Sequence, residues 1–431
     1  MKVLVITYYW PPAGGSGVQR WLKFVKYLQD FGIKPVVYTV DKPNYALLDE
    51  TLYSEVPQNI EILKQRIWEP NNLLGKKKQV SAGFLDANPS FFGKILHYIR
   101  ANYFIPDSRK YWIKPSVKFL TKYLEKCEID VIITTGPPHS LHLIGLELQK
   151  NIPIKWIADF RDPWTEIDYF HQLPLTKKSM LKHEKFEQNV LNNADAVLVV
   201  GKTMKEKFKS FSNNIHIITN GFDDEDFSIR GALDKWFTFT HVGMMNADRN
   251  PKILWKVLAD LIKSNPDFKE DLQINLIGKV APEVLKDIKT YGLDENVQLT
   301  DYLSHVEVLR HQSSARVLLL VTNNVPSAKG IITGKIFEYL KSKRPILAIA
   351  PKDGDLAEII EKSNSGEVIG FDDEENLKKS VLSLYSKYKK GKLYIDSKNI
   401  DQYHRKNLTK QLAEVIKNLN PDYALGFRHE A

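Results

Sequence analysis

A glycine-rich loop followed by a basic side chain lies near the start of the chain. The segment TYYWPPAGGSGVQRW places Gly14, Gly15 and Gly17 before a helical apolar pattern. Glycines let backbone N–H groups approach a ligand closely, and the first turn of a helix adds unpaired N–H donors and partial positive charge. Arg20 falls in that first turn. The loop therefore predicts an anion site to which Arg20 contributes.

A second candidate anion site is the pair Lys335 and Glu338 in the second half of the chain. The segment that precedes it, TNNVPSAKGIITG, is far longer than the roughly two to six residues typical of strand-to-helix loops. Residues three apart lie side by side on a helix. A cation at a helix start beside a carboxylate suits a diphosphate next to a ribose. The alternative is a surface ion pair, which contributes about 0.3 kcal/mol.

Two other interpretations of the first loop remain open. GSGVQR partly matches the dinucleotide pattern G-x-G-x-x-G, and Asp41 ends the second predicted strand, where a ribose-binding acid would lie. Against this, YYWPPAG separates the glycines from the strand, and Arg20 takes the place of the third glycine. The loop could also be structural, without a ligand.

The elements that position these residues follow one pattern in both halves of the chain. Apolar, β-branched runs alternate with helical segments, which is typical of parallel strands buried on both faces and joined by crossover helices. We predict two doubly wound α/β domains, 1–218 and 219–400, and a closing segment, 401–431. The predicted strands are 3–7, 35–40, 130–136, 155–160 and 196–201 in the first half, and 237–243, 274–278, 297–303, 317–321 and 345–350 in the second.

Further candidates follow the predicted strands, at the edge where open parallel sheets bind ligands. His139 lies in GPPHS, and its neutral imidazole could pair with a hydroxyl. Arg161, Asp162 and Trp164 lie in RDPW, where a ligand with an apolar face and hydroxyl groups could stack on Trp164 and bond to Asp162. The alternatives are a loop histidine without a role and an internal Arg–Asp clamp.

The composition excludes several classes of protein. The chain has 431 residues, 43% hydrophobic and 26% charged, which is typical of globular domains. No apolar run approaches the roughly 20 residues of a membrane-spanning helix, and no leader pattern is apparent, so we expect a cytoplasmic protein. The single cysteine, Cys127, excludes an intramolecular disulfide and a cysteine-based metal cluster.

The net charge of +9 suggests an anionic partner. Between 94 and 126 there are eight lysines and arginines but two acids. Five of these lysines recur every four residues, which places neighbours on adjoining parts of a helix surface. The pattern predicts either an ordinary solvated helix face or a surface that contacts anionic lipid. The five are Lys110, Lys114, Lys118, Lys122 and Lys126.

Four motifs resemble the retaining GT-B glycosyltransferases of family 4: YYWPPAGGSGVQR, ITNGFD, HVGMMNADRNP and GKIFEYLKSKRPIL. The resemblance implies two Rossmann-like domains that face each other across a cleft. It places the donor ribose on Glu338 and the donor diphosphate on Arg249 and Lys335. The family's first glutamate is replaced here by Gly330. The resemblance also implies that Asn220 forms the turn at the domain junction, that His139 contacts the donor sugar and that the segment 403–419 crosses back to the first domain.

The resemblance implies transfer of a sugar from a nucleotide diphosphate, most commonly UDP, to a lipid-linked or polysaccharide acceptor in cell-surface glycan synthesis. His139, Asp162 and Glu338 are then the catalytic candidates, although a donor phosphate oxygen can take the place of a side-chain base. The motif DDED, 223–226, contains Asp-x-Asp, but it follows the domain junction. We expect an exposed acidic linker there and no required metal or other cofactor.

Two alternatives to this activity remain. A UDP-sugar 2-epimerase can have the same fold but needs no acceptor surface. A basic two-domain protein could instead bind a membrane surface or nucleic acid without catalysis. Such a binder gives no reason for glycine-rich loops at the strand ends of both halves, so we expect nucleotide-sugar chemistry and no nucleic-acid partner.

Overall fold

The computed structural model describes residues 1–43, 45, 47–69, 91–167, 170–224 and 231–420. The chain divides into two compact units. The first comprises Met1–Thr219 together with the chain from Arg405 onward, and the second comprises Asn220–His404. None of the helices in these described ranges is both long enough and apolar enough to cross a bilayer.

The first unit contains a seven-stranded sheet in which all strands are parallel, in the order β3-β2-β1-β4-β5-β6-β7. The five strands β1, β2, β4, β5 and β6 are buried along all or nearly all of their length, as expected for a sheet covered on both faces. The strands are β1 Lys2–Ile6, β2 Lys34–Asp41, β3 Glu61–Arg66, β4 Val131–Gly136, β5 Lys155–Phe160, β6 Ala196–Val199 and β7 Ile215–Ile217.

Helices cover both faces of this sheet. One core lies around Tyr38, Trp112 and Trp156, and the other lies around Trp21 and Leu22 of the first helix. The helices are α1 Ser16–Leu28, α2 Phe91–Tyr103, α3 Lys110–Leu124, α4 Ser140–Asn151, α5 Lys177–Asn193 and α6 Lys202–Phe208.

The second unit contains a six-stranded parallel sheet in the order β10-β9-β8-β11-β12-β13. Its strands are β8 Phe237–Val242, β9 Leu272–Ile277, β10 Val297–Thr300, β11 Val317–Val321, β12 Ile346–Ile349 and β13 Gly366–Ile369. Its helices are α7 Lys252–Ser264, α8 Pro266–Asp271, α9 Pro282–Thr290, α10 His305–Ser314, α11 Lys335–Ser342, α12 Asp355–Lys362 and α13 Glu374–Lys389.

The last helix, α14 Arg405–Asn418, packs on α1 in the first unit. Leu408 and Leu412 enter the same core as Trp21 and Leu22, and Lys406 forms an ion pair of 2.7 Å with Asp30. The chain thus leaves the first unit after Thr219 and returns to it at Arg405.

Both sheets confirm the prediction of two doubly wound α/β domains. In each sheet the strand order reverses direction at one place, between β1 and β4 and between β8 and β11. Ligands of open parallel sheets bind outside the carboxyl ends of the strands at such switch points. The glycine-rich loop follows β1, and the long loop 322–334 follows β11, so each loop begins at a switch point.

Candidate functional site

The loops at the switch point of the first unit are held together by Arg161. Its Nη1 donates to the Gly17 carbonyl oxygen at 2.6 Å, its Nε donates to the Gly136 carbonyl oxygen at 3.2 Å, and its Nη2 bonds to the Pro137 carbonyl oxygen. A Cβ on Gly17 would lie 3.2 Å from Nη1, so the glycine makes this approach possible. Arg161 therefore shapes the loops after β1 and β4, as a clamp onto backbone carbonyls rather than onto a carboxylate.

The glycines of the first loop have different structural roles. The Gly14 amide donates to the Leu47 carbonyl oxygen at 2.9 Å, so the structure uses this predicted donor internally. Gly15 is the N-cap of α1 with φ 89°, a conformation that favours glycine, and it makes no side-chain cap bond. The start of α1 thus keeps the geometry that was predicted for an anion site.

The structure corrects the prediction for Arg20. This side chain is 1% exposed, and its Nε and Nη2 donate to Asp159 at 3.2 and 2.9 Å. The same guanidinium donates to the carbonyl oxygens of Ile218 and Thr219, at 2.9 and 2.8 Å. A buried guanidinium needs a matched carboxylate more than it needs a ligand. Arg20 therefore joins α1 and β5 to the last residues before the second unit, and it does not face a ligand.

His139 is buried, with 8% of its surface exposed, at the end of the loop after β4. Its ring stacks on Trp164 with 4.9 Å between centroids and an angle of 10°. Neither ring nitrogen has a hydrogen-bond partner among the described residues. Burial, and then the charges of His142, Arg161 and His183, hold the pKa of His139 well below its ordinary value. The neutral imidazole can thus give one hydrogen bond and accept another.

Trp164 does not offer a free face to a sugar, which corrects the prediction for this residue. It is 1% exposed, and its ring is already stacked on His139. Its Nε1 donates to His183 Nδ1 at 3.0 Å, and its backbone N–H donates to Glu187 Oε1 at 3.0 Å. Sequence reasoning missed Glu187, which lies on α5 far from RDPW in sequence. Asp162 is half-buried next to Arg161 and raises the pKa of that side chain, against the larger effect of burial.

Gly243 and Lys335 meet at the switch point of the second unit. Gly243 follows β8 with φ 98°, and a Cβ built on it would lie 2.7 Å from Lys335 Cε and 2.9 Å from Lys335 Nζ. The lysine at the start of α11 therefore lies directly against the backbone of this turn. Arg249 lies further along the same loop between β8 and α7, where its Nη1 donates to the Met244 carbonyl oxygen at 2.9 Å. Sequence reasoning did not single out Gly243, although a glycine directly after a buried strand is a signal for close approach.

Positive charge is concentrated at this turn. Burial, and then the charge of Arg249, hold the pKa of Lys335 well below its ordinary value, and Glu338 acts in the opposite direction. His241 at the end of β8 is affected in the same way, by burial and then by Lys335 and Arg249. Nearby cations repel each other, and a bound anion would favour the charged form of Lys335. The positive end of the α11 helix dipole adds to this potential.

Glu338 lies one turn into α11, half-buried, and it accepts a hydrogen bond of 2.8 Å from Gln312 Nε2. Gln312 on α10 is fully buried and was missed by sequence reasoning. Several buried polar atoms of the second unit lack a partner within the described ranges of the chain. They are Gln312 Oε1, His241 Nε2, Thr322 Oγ1 and Thr333 Oγ1. Buried polar atoms normally have partners, so this group points to a polar ligand.

The remaining candidates lie at the junction between the units. Asn220 is the first residue of the second unit, next to Thr219, whose carbonyl oxygen accepts from Arg20. Asp223 and Asp224 of the DDED motif contact His404, and Asp224 also bonds to Lys341. The last two residues of the motif lie outside the described residues. In the part of the chain that the structure describes, no group of three or more His, Cys, Asp or Glu side chains could hold a metal ion.

The fold of the chain is similar to that of several solved structures. It is similar to a sucrose-phosphate synthase from Thermosynechococcus elongatus, with 13% identity, a TM-score of 0.62 and coverage of 99% of both chains. It is similar to S. aureus TarM in complex with fondaparinux, α-GlcNAc-glycerol and UDP, with 14% identity, a TM-score of 0.58 and coverage of 97% and 99%. A UDP-N-acetylglucosamine 2-epimerase from Listeria monocytogenes, described as putative, shares the fold with 13% identity, a TM-score of 0.57 and coverage of 99% and 97%.

Two family models match the sequence itself, one for each half. Glycosyltransferase Family 4 matches residues 16–226, and Glycosyl transferases group 1 matches residues 237–387. No curated protein matches the chain. The two models together span most of the sequence and meet close to the boundary between the two units. The chain therefore belongs to the family 4 and group 1 glycosyltransferases and is an enzyme with the GT-B fold.

Proposed function

We propose that the protein is a retaining glycosyltransferase that uses a nucleotide diphosphate sugar, with UDP as the favoured nucleotide. The acceptor would be a lipid-linked or polysaccharide chain in cell-surface glycan assembly. The observation that carries the proposal is the contact between Lys335 and the Gly243 turn, with Arg249 further along the same loop. A retaining course of reaction is supported by the motifs that resemble the retaining families.

In this proposal Lys335 and Arg249 hold the diphosphate. Two positioned cations and a helix start stabilise the negative charge that develops on a leaving diphosphate, which is an effective use of preorganised donors. Glu338 has one oxygen engaged with Gln312, and its other oxygen would accept from the ribose hydroxyls. On the first unit, neutral His139 would pair with a sugar hydroxyl. The proposed acceptor side includes Asp162, while Arg161 holds the loops in shape.

The first test is nucleotide-induced stabilisation of the protein. UDP and GDP are compared in a thermal-shift assay, since a ligand present at about 100 times its Kd stabilises the folded state by about 2.7 kcal/mol. We expect Lys335→Ala and Glu338→Ala each to remove the nucleotide-induced shift, measured from the melting temperature of the same variant without nucleotide; Glu338→Ala should also lower that temperature, because it leaves the buried Gln312 amide without its acceptor. Lys289→Ala, which alters an exposed lysine on α9 of the same unit, should keep it.

The products separate the possible activities. The active protein incubated with a UDP-sugar should release UDP slowly, and transfer to an acceptor should preserve the anomeric configuration, measured by NMR. Epimer formation without release of UDP would favour an epimerase, and neither reaction would favour a binding protein. A full nucleotide shift in both site variants would show that the nucleotide binds elsewhere.

The substitution Gln312→Glu in the same site is expected to make UDP binding depend on pH. The variant places a second carboxylate against Glu338, and two carboxylates this close do not both ionise. At high pH their repulsion should weaken UDP binding by about tenfold or more, the loss expected for one charge-assisted hydrogen bond. At low pH one of the two is protonated and can donate to the other, so binding should recover. Calorimetry at two pH values measures this.

The control for this prediction is Gln312→Leu, which has no proton to regain. Its affinity for UDP should be low at both pH values, relative to the unaltered protein under the same conditions. If Gln312→Glu binds UDP equally well at both values, Gln312 does not orient Glu338.

We also propose that the lysines of α3 face an anionic membrane surface, with the enzyme peripheral on its cytoplasmic side. Lys114, Lys118, Lys122 and Lys126 are exposed, and Lys110 is half-buried and donates to the Tyr103 carbonyl oxygen. Basic residues near such a surface contribute about 1 kcal/mol each. A lipid-linked acceptor would give this association a purpose.

A further inference from the structure

The helix α2 presents apolar side chains to solvent around most of its surface. Leu96 is 53% exposed, Ile99 is 40% exposed and Tyr103 is 66% exposed. These three residues are spaced by three and four, so they form one stripe along the helix. Ile95 and Tyr98 are also exposed. Single exposed apolar residues are ordinary, but a contiguous set marks a surface for interaction.

The fold gives α2 little support beyond its C-terminal end. There Ala101 is buried, Asn102 Nδ2 donates to the Pro174 carbonyl oxygen at 2.8 Å, and Asn102 Oδ1 accepts from the Thr176 amide at 2.8 Å. The helix has 13 residues, and helices of this length are marginal in water without packing. The described parts of the chain leave these apolar side chains uncovered, so a partner that covers them would stabilise the helix.

The charged residues of the same surface indicate what kind of partner covers it. The helix contains Lys94 and Arg100 and no acidic residue. Both basic side chains are exposed. A short apolar helix with basic residues is typical of segments that lie in the interface of an anionic bilayer. A protein partner without a strong negative charge would not explain why α2 has basic residues and no acidic ones.

Aromatic side chains extend this surface to the start of α3. Lys110 Nζ lies 5.2 Å from the centroid of the Phe104 ring and 5.0 Å from that of Tyr111. The Trp68 ring meets Tyr111 edge to face at 4.8 Å, and both are exposed, at 52% and 41%. Tryptophan and tyrosine are enriched where proteins meet the headgroup region of a bilayer, since one part of each ring system is apolar and another is polar.

We propose that α2 inserts into the headgroup region of an anionic membrane, with Leu96, Ile99 and Tyr103 toward the acyl chains. Lys94, Arg100 and the lysines of α3 then contact lipid phosphates. Helices of this kind lie in the membrane plane, with their apolar face about 5–10 Å into the boundary between headgroups and acyl chains. This deepens the membrane part of the proposed function, because it names the inserting element, and it is independent of the nucleotide site.

The test uses the full chain and vesicles, without any enzyme assay. The protein should sediment with vesicles of phosphatidylcholine mixed with phosphatidylglycerol, and much less with phosphatidylcholine alone. Leu96→Glu is expected to reduce binding about tenfold, and Leu299→Glu, equally exposed at 53% on the second unit, is expected to leave it unchanged. The exposure of both sites makes misfolding improbable on physical grounds, and circular dichroism checks it.

A second pair of variants measures how much the basic residues of α2 contribute to vesicle binding. Lys94→Glu with Arg100→Glu should reduce binding to the anionic vesicles more than tenfold, since each basic residue contributes about fivefold. Lys286→Glu with Lys289→Glu changes the net charge equally on α9 and should have little effect. All four variants should keep the full UDP shift, so that loss of vesicle binding and failure of the nucleotide proposal are separate results.

Two outcomes would overturn the proposal. One is that the unaltered protein does not sediment with the anionic vesicles. The other is that the α2 variants sediment as well as their controls, in which case the apolar surface of α2 serves a protein partner.

Discussion

Gly243→Ala is expected to weaken the binding of a nucleotide diphosphate by about tenfold or more, the equivalent of one hydrogen bond to a charged group. The new Cβ would lie 2.7 Å from Lys335 Cε and 2.9 Å from its Nζ, closer than non-bonded atoms approach. The lysine side chain must therefore leave its position against the turn. The measurement is isothermal calorimetry with UDP.

Alanine at this position also strains the backbone, because Gly243 has φ 98°. Left-handed conformations cost a residue with a Cβ roughly 1–2 kcal/mol, so the free protein should melt at a lower temperature as well. Loss of stability alone does not change affinity at a temperature where the protein stays folded. The two effects are thus separable.

Gly292→Ala is the matched control. Gly292 has φ 69° in the same unit, but a Cβ there would meet no atom within 4 Å. This variant should show the backbone strain as a lower melting temperature and retain the affinity for UDP. If both glycine variants bind UDP as the unaltered protein does, Lys335 does not hold the diphosphate from its observed position.

Asp159→Asn is expected to destabilise the first unit by about 3–5 kcal/mol, because it leaves the Arg20 charge buried without a counter-charge. Both side chains are 1% exposed or less, and their closest atoms are 2.9 Å apart. Asp159 also accepts from Trp21 Nε1 at 2.7 Å and Thr135 Oγ1 at 2.9 Å, so four donors converge on one carboxylate. Urea denaturation followed by circular dichroism gives the free energy of unfolding.

A surface ion pair of similar length is the control. Lys150 and Glu147 are 2.8 Å apart but about half exposed, and such pairs contribute little. Glu147→Gln should change the free energy of unfolding by less than about 0.5 kcal/mol. Equal effects from the two substitutions would contradict the structural role assigned to Arg20.

The same network predicts a pH dependence of stability. Burial alone would raise the pKa of Asp159, but the charge of Arg20 and its hydrogen bonds hold the net pKa below the ordinary value. A carboxyl group with a lowered pKa in the folded state stabilises the protein above its ordinary pKa of about 3.9. This contribution is lost as the pH falls from that value through the pKa of the folded state. Asp159→Asn should lack that part of the acid-induced loss.

The apolar runs of the sequence were sufficient to predict ten of the thirteen strands in the described part of the chain, because strands buried on both faces need continuous apolar residues. The strands that were missed are β3, β7 and β13, and all three lie at the edge of a sheet. Their short apolar runs, such as the two apolar residues of EILKQR, are a weaker signal, since an edge strand is partly exposed to water.

The sequence by itself also determined that the two side chains proposed for the second site are neighbours. Lys335 and Glu338 are neighbours on a helix whatever surrounds them, because a spacing of three fixes their relation. Glycine after a buried strand likewise needs no tertiary information to suggest close approach.

Only the tertiary structure decided which side chains remain for a ligand. Arg20 and Trp164 have the residue types of a binding site, but each is buried by partners distant in sequence: Asp159 for the first, His139 and Glu187 for the second. Conversely, Gln312 reaches Glu338 from another helix, and α2 leaves apolar residues uncovered. Local spacing fixes neighbours within one element, whereas burial and pairing depend on which elements the sheet order brings together.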